Sequence, residues 1–154
     1  LNEAKLRIIE IKKEKFLEAL KEAKQKNTSR TWKSFLEEYP DYVGKEQVER
    51  KIISLEVDEI FSNQNTGKLP ATNRTGNNSS TESSVAIINS TGYTLVLRYS
   101  GPSVKKVSIP SYGTRTVNLS SGRYKVAASA GGLNYAGAEY LSGSYESKYY
   151  ISSY

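Results

Sequence analysis

The stretch 84–154 constrains this chain most. Short apolar or β-branched runs recur there about every 8–12 residues, the spacing of an all-β domain. The runs lie at 85–89, 93–99, 104–109, 113–119, 123–130, 135–141 and 145–153. Between them stand Ser90-Thr91-Gly92, Ser100-Gly101-Pro102-Ser103, Pro110, Ser120-Ser121-Gly122, Gly131-Gly132 and Ser142-Gly143. Proline cannot donate a ladder hydrogen bond, and glycine takes the positive φ that tight turns require. Within the runs, polarity alternates. Leu95, Leu97 and Tyr99 fall on one side and Val96 and Arg98 on the other; Val107/Ile109, Val117/Leu119 and Tyr124/Val126/Ala128 behave alike. Successive strand residues face opposite ways, so these sets converge on one core. Seven strands so punctuated predict an antiparallel β-sandwich over 84–154.

What precedes it reads differently. Over 1–26, Leu6, Ile9, Phe16, Leu17, Leu20 and Ala23 recur with helical spacing. Ala4, Ile8 and Ile11 form a second strip on the first half, apolar over more circumference than one hairpin covers. A second copy of the helix is the expected cover, making the chain a homo-oligomer; an upstream helix is the other. Asn27-Thr28-Ser29 breaks the helix and offers N-caps for the next. Trp32, Phe35, Leu36 and Tyr39 then form a stripe that Pro40 ends. A third helix over 45–62 carries Val48, Ile52 and Leu55 on one strip and Ile53, Val57 and Ile60 on the next. Trp32 is the expected packing anchor of the hairpin.

Between the two parts, 63–83 is Asn-, Thr-, Ser- and Gly-rich, with Leu69 and Ala71 its apolar side chains. By itself it buries too little to offset the entropy of ordering, so a flexible linker is expected. The fold class is therefore α+β in two segregated parts: helices over 1–62, linker over 63–83, sandwich over 84–154.

Charge and residue types exclude more chemistry than they suggest. With no His and no Cys, the usual nucleophilic triads, thiol chemistry and zinc sites are closed. No catalytic residue, cofactor site or metal site is expected. A two-carboxylate glycosidase would need Glu139 and Glu146, the carboxylates of 84–154, to face one another; two exposed glutamates is the simpler expectation. No apolar run approaches the ~18 residues of a membrane span. The net charge is +6. Residues 1–62 balance thirteen basic against thirteen acidic groups, while 84–154 hold seven basic and two acidic. Ten of the twelve tyrosines also fall in 84–154. Adjacent Tyr149 and Tyr150 must point to opposite faces of their strand, so one faces outward. Tyrosine suits protein and sugar surfaces because it is amphipathic and loses little entropy on contact. The binding candidates are Arg98, Lys105, Tyr112, Tyr149 and Tyr150.

Two resemblances bear on function. The segment Thr31-Trp32-Lys33-Ser34-Phe35-Leu36-Glu37-Glu38-Tyr39-Pro40, with the helix over 48–60, resembles tetratricopeptide-like hairpins of bacterial envelope proteins. This implies scaffolding or partner docking. The runs 85–95, 107–110, 114–117 and 145–154, with Ser121-Gly122-Arg123-Tyr124-Lys125-Val126, resemble small β-sandwich domains of unknown function that end secreted or surface proteins of gut-type bacteria. The Gly-x-Tyr-x-Val element also occurs in carboxypeptidase-regulatory-like and PEGA-like sandwiches. The resemblance implies no active site. A non-enzymatic binding or spacer module at the periplasm, cell surface or secreted fraction is the leading expectation, with a protein or glycan partner. An accessory domain of a larger enzyme comes next. Nucleic-acid binding through the basic, Tyr-bearing sheet ranks last.

Overall fold

The structure is a computed structural model that describes residues 2–151. Leu1 and residues 152–154, the end of the last expected strand, lie outside the described residues. The chain divides into two compact units, Leu1–Ile52 and Ile53–Tyr154.

The first unit is helical, with α1 (Asn2–Lys26), α2 (Ser29–Glu38) and the first part of α3 (Lys45–Phe61). Thr28 caps α2: its Oγ1 accepts from the Thr31 amide at 3.1 Å, which satisfies one of the orphan N–H groups of the first turn. An aromatic cluster holds the hairpin. The Phe16 ring meets Phe35, Tyr39 and Tyr42 at centroid distances of 5.9, 5.1 and 5.8 Å. Trp32 is buried edge-on to Phe35, with its indole N–H donating to Asn27 Oδ1 at 3.0 Å. It is the anchor its spacing predicted. Leu6, Ile8, Ile9, Ile11 and Leu17 of α1 remain exposed.

Among the described residues, the second unit holds nine strands: β1 (Gly67–Lys68), β2 (Thr72–Arg74), β3 (Glu82–Asn89), β4 (Leu95–Ser100), β5 (Val104–Ile109), β6 (Thr114–Ser120), β7 (Gly122–Ala130), β8 (Leu133–Leu141) and β9 (Gly143–Tyr149). They form two sheets, ordered β1-β8-β7-β4-β5 and β2-β9-β3-β6. Inward residues of both sheets build one core: Leu95, Leu97, Tyr99, Tyr124 and Val126 from the first, and Val85, Ile87, Val117, Leu119, Tyr145 and Tyr149 from the second. All seven expected strands are present, and their alternation assigns the buried faces correctly.

Two features correct the sequence reading. First, the sheets are mixed: β9 runs parallel to β3, from Ser83↔Gly143 to Asn89↔Tyr149, and β1 runs parallel to β8. A parallel neighbour needs a long connection, and β3 and β9 have five intervening strands to supply it. Alternation reports which face is buried and is silent on strand direction. Second, 63–83 holds two strands in place of a flexible linker. β1 pairs with β8 at the edge of one sheet, and β2 pairs with β9 at the edge of the other. The segment is a strap across the side of the sandwich. It succeeds because its partners supply what its composition lacks: unpaired edge amides and a core on which Leu69 packs. Gly137 makes room for it, since a Cβ there would lie 3.0 Å from Leu69 Cδ1.

The part of α3 in this unit is tied to the outer face of the first sheet. Glu56 is buried and accepts from Arg98 Nε and, at 3.4 Å, from Lys106 Nζ. Lys125 pairs with Asp58 at 2.7 Å, and Ser100 donates to Ser54 at 3.1 Å. Outward-pointing Ala127, paired with Arg98 across the strands, is fully buried beneath this layer. The helix therefore belongs to the β-unit from Ile53 onward, and the expected boundary after residue 62 falls too late.

Among the described residues, no helix is long and apolar enough to cross a membrane.

Candidate functional site

Successive strands from β3 to β9 reverse direction at each turn, so every second turn reaches the same end of the sandwich. One end thus collects the turns 90–94, 110–113 and 131–132 together with Tyr150 after β9. These turns carry the exposed tyrosines Tyr93 (56%), Tyr112 (77%) and Tyr150 (62%). Leu133 is exposed beside them. A fourth exposed tyrosine, Tyr140, lies toward the far end of β8. The turns themselves are built from Ser, Thr, Gly, Pro and Tyr, with no charged side chain.

Tyr150 borders a cleft of about 390 Å³, and Tyr93 and Tyr112 stand on turns at the same end of the sandwich. Leu95, Ala130 and Tyr149 line it from the core, Tyr135 and Leu133 from β8, and Lys68, Leu69 and Pro70 from the strap. Tyr149, the last residue of β9, is buried, and Tyr150, just past the end of the strand, is exposed; the expected strand over 145–153 stops before Tyr150.

A buried amide organises this end. Asn89, the last residue of β3, has no exposed surface. Its Nδ2 donates to the carbonyls of Tyr93, Ile109 and Pro110 at 2.8, 3.1 and 3.0 Å. Its Oδ1 accepts from the Thr91 amide at 3.0 Å and from Thr91 Oγ1 at 2.7 Å. The backbone around it is equally committed: Asn89 N–H donates to Gly113, Ser90 N–H to Tyr149 and Tyr112 N–H to Thr91. One side chain thus links the turns that carry Tyr93 and Tyr112, and its neighbour Ser90 secures the end of β9.

Tyr112 sits at φ 58 and Gly131 at φ 56. Gly131 suits that conformation, and its missing Cβ leaves room for the Tyr93 ring, which a Cβ would meet at 2.8 Å. Tyr112 does not suit it. A non-glycine residue in the left-handed region costs on the order of 1 kcal/mol. The Gly113 N–H to Pro110 carbonyl bond of 2.9 Å and the Tyr112–Thr91 bond hold it there. Such strain is characteristic of binding and active sites.

The five sequence candidates therefore separate. Tyr112, Tyr149 and Tyr150 come to one end, Tyr149 as lining and the other two as exposed rings. Arg98 lies under α3 on Glu56. Lys105 donates to the Asn118 carbonyl at 2.5 Å, beside a polar groove of about 630 Å³ lined by Asn77, Ser79, Glu82 and Ser103 at the opposite end. With Lys106 and Lys125 also paired to carboxylates, Arg98, Lys105, Lys106 and Lys125 of the first sheet are all engaged within the unit. Sequence reasoning missed Tyr93, Tyr135 and Asn89. The signal for Asn89 was its position: a polar residue at the inward phase of Val85 and Ile87.

Glu139 is a further departure. It was expected to be exposed, yet it occupies the inward phase of β8 and accepts from Thr72 Oγ1 of the strap at 2.7 Å. Burial raises its pKa above the ordinary carboxylate value, against a smaller lowering by the Thr72 hydrogen bond. Burial likewise raises Tyr99 and Tyr149, each further raised by the charge of Glu139. Glu146 lies on the outward face of β9, so the two carboxylates do not face one another. Because the folded state holds the Glu139 proton more tightly than the unfolded chain does, this group's contribution to stability is fullest below the ordinary carboxylate pKa and is lost as pH rises through the raised value. Glu139→Gln, which keeps an acceptor for Thr72, should flatten that decline and raise the melting temperature at neutral pH. Thermal melts of both proteins across the acid-to-neutral range measure it; parallel curves would contradict the assignment.

No curated protein matches this chain. A family model described as a domain of unknown function, DUF6759, matches residues 45–152. The match opens at the first residue of α3 and takes in the strap and all nine strands, the same pieces that Glu56, Leu69 and Asn89 join. Since it spans more than half of the 154 residues, the chain belongs to the DUF6759 family.

Proposed function

We propose that this chain is a non-enzymatic binding module that engages its partner through the tyrosine-bearing end of the sandwich. The observation that carries this reading is the combination of three exposed phenol rings with a buried amide that fixes their turns. Fixing the rings in advance lowers the ordering cost of contact, which otherwise opposes binding. Tyr, Ser, Gly and Asn are also the residue types that make adaptable contact surfaces on sandwich loops. On the resemblance of its β-region, we place the module at the cell envelope or in the secreted fraction.

The test compares the immobilised full chain with a Tyr112→Gly/Tyr150→Ser double variant against bacterial envelope extract. Retention by the parent and loss from the variant supports the reading. Equal retention by both, or turnover of a substrate, contradicts it.

The helical unit enters this reading as a self-docking element. The exposed strip of Leu6, Ile8, Ile9 and Ile11 is the face that a second copy of α1 would cover. Sedimentation of the full chain should show association at high micromolar concentration, weakened by Ile9→Glu. A monomer throughout would remove this part of the proposal.

A further inference from the structure

We infer that the ligand of the tyrosine-bearing end is a neutral saccharide, an inference that rests on the contact reading above and gives that site a chemical class. Three properties of the site point there. The first is charge. The turns 90–94, 110–113 and 131–132 contain no ionisable group other than the tyrosine phenols, and among the described residues Lys68 is the one charged side chain lining the cleft. A site for an anionic or cationic ligand would present opposite charge, because such ligands are held and steered by it.

The second is the surface offered. A pyranose alternates axial C–H patches with equatorial hydroxyls. A tyrosine ring presents an apolar, electron-rich face to the first and a hydroxyl to the second. Tyr112 and Tyr150 are exposed enough to stack, and Tyr135 brings a further phenol to the cleft wall. The third is size and rigidity. About 390 Å³ falls in the range of small-ligand sites and accommodates one or two sugar units. Weak, solvated ligands of this kind gain most from a surface that needs no ordering, and the Asn89 network supplies that order. Strain points the same way: Tyr112 occupies a backbone conformation that glycine would hold at lower cost, and what the tyrosine adds there is an outward ring.

The experiment is an NMR titration of the isotopically labelled full chain with neutral cello-, malto- and N-acetylchito-oligosaccharides. The expected result is amide shifts at 91–94, 110–113, 131–135 and 149–151 for at least one series. Affinity should be unchanged between low and high salt, since no ion pair is made. Tyr112→Gly relieves the positive φ and so keeps the fold; it should weaken binding by about tenfold, as should Tyr150→Ser. Absence of shifts at this end with every series overturns the inference, and so does binding that salt abolishes. Capture of an envelope protein that depends on the same tyrosines, with no sugar binding, overturns the saccharide assignment while leaving the contact reading standing. Capture indifferent to the tyrosines removes the contact reading itself.

Discussion

Asn89→Ala is expected to destabilise the β-unit by about 3–5 kcal/mol, because it strips partners from several buried groups at once. The Ile109 carbonyl loses this donor and the Thr91 amide loses its acceptor, while the Tyr93 and Pro110 carbonyls lose one of two donors and keep Thr91 Oγ1 and the Gly113 N–H. Each orphaned buried group costs about 1–3 kcal/mol, and the sum is less than additive because all share one network. Against a typical total of about 5–15 kcal/mol, this is a large fraction. In a unit of this size the melting temperature should drop by roughly 4 °C or more per kcal/mol. Asn89→Asp separates shape from donors. It keeps the acceptor for Thr91 but aims a carboxylate at three carbonyls, so it should be as damaging at neutral pH. Acidification should restore part of the loss, because a protonated carboxyl can donate one of the missing bonds. Paired thermal melts at neutral and acid pH measure both effects; an Asn89→Ala protein that melts near the parent would remove the hub from the account.

Glu56→Ala has the second large expected effect, also about 3–5 kcal/mol, through a different cause. Arg98 and Glu56 are buried together, with side-chain exposures of 13% and 7%. Removing the carboxylate leaves a guanidinium in a site that water reaches poorly, and that uncompensated charge is the main cost. Lys106, more exposed, can turn to solvent and contributes less. The diagnostic variant is therefore the double replacement Glu56→Leu/Arg98→Met. With both charges gone, no ion is stranded, and most of the stability should return. If the double variant were as unstable as Glu56→Ala, packing of the helix would outweigh the charge pair. Denaturant titration resolves the two, since an unchanged slope with a recovered midpoint reports stability at constant exposed surface.

The same residues show what the sequence could and could not reveal. Strand positions were legible because alternation and turn residues are local: Leu95, Leu97 and Tyr99 declare their face without reference to any partner. Partners distant in sequence were not legible. Arg98 looked like a cation awaiting an external anion, and its anion lies on α3 within the same unit. Lys105 likewise has a carbonyl of the neighbouring sheet's edge. The strap looked disordered because its own composition cannot hold it, while the open edges of β8 and β9 can. Glu139 was misread because inward phase was judged for apolar residues and not applied to a carboxylate.

The site was half legible for a related reason. Tyr112 and Tyr150 were marked by their type and context, but Tyr93 and Tyr135 join them through topology. Alternate turns share an end, which is a global property of consecutive antiparallel strands. Applied to the turns 90–94, 110–113 and 131–132, that rule would have gathered the tyrosines from the sequence. What no pattern announced is the fixing of those turns through one inward asparagine.

Everything functional here depends on that end being rigid before a ligand arrives, and backbone hydrogen exchange followed by NMR on the ligand-free full chain tests it most directly. The amides of Asn89, Ser90, Thr91, Tyr112 and Gly113 all donate within the network. They should exchange as slowly as core amides of β4 and β7, opening only with the whole unit. Exchange at the rate of an exposed loop would contradict the account, since mobile turns could not present Tyr93 and Tyr112 as a formed surface.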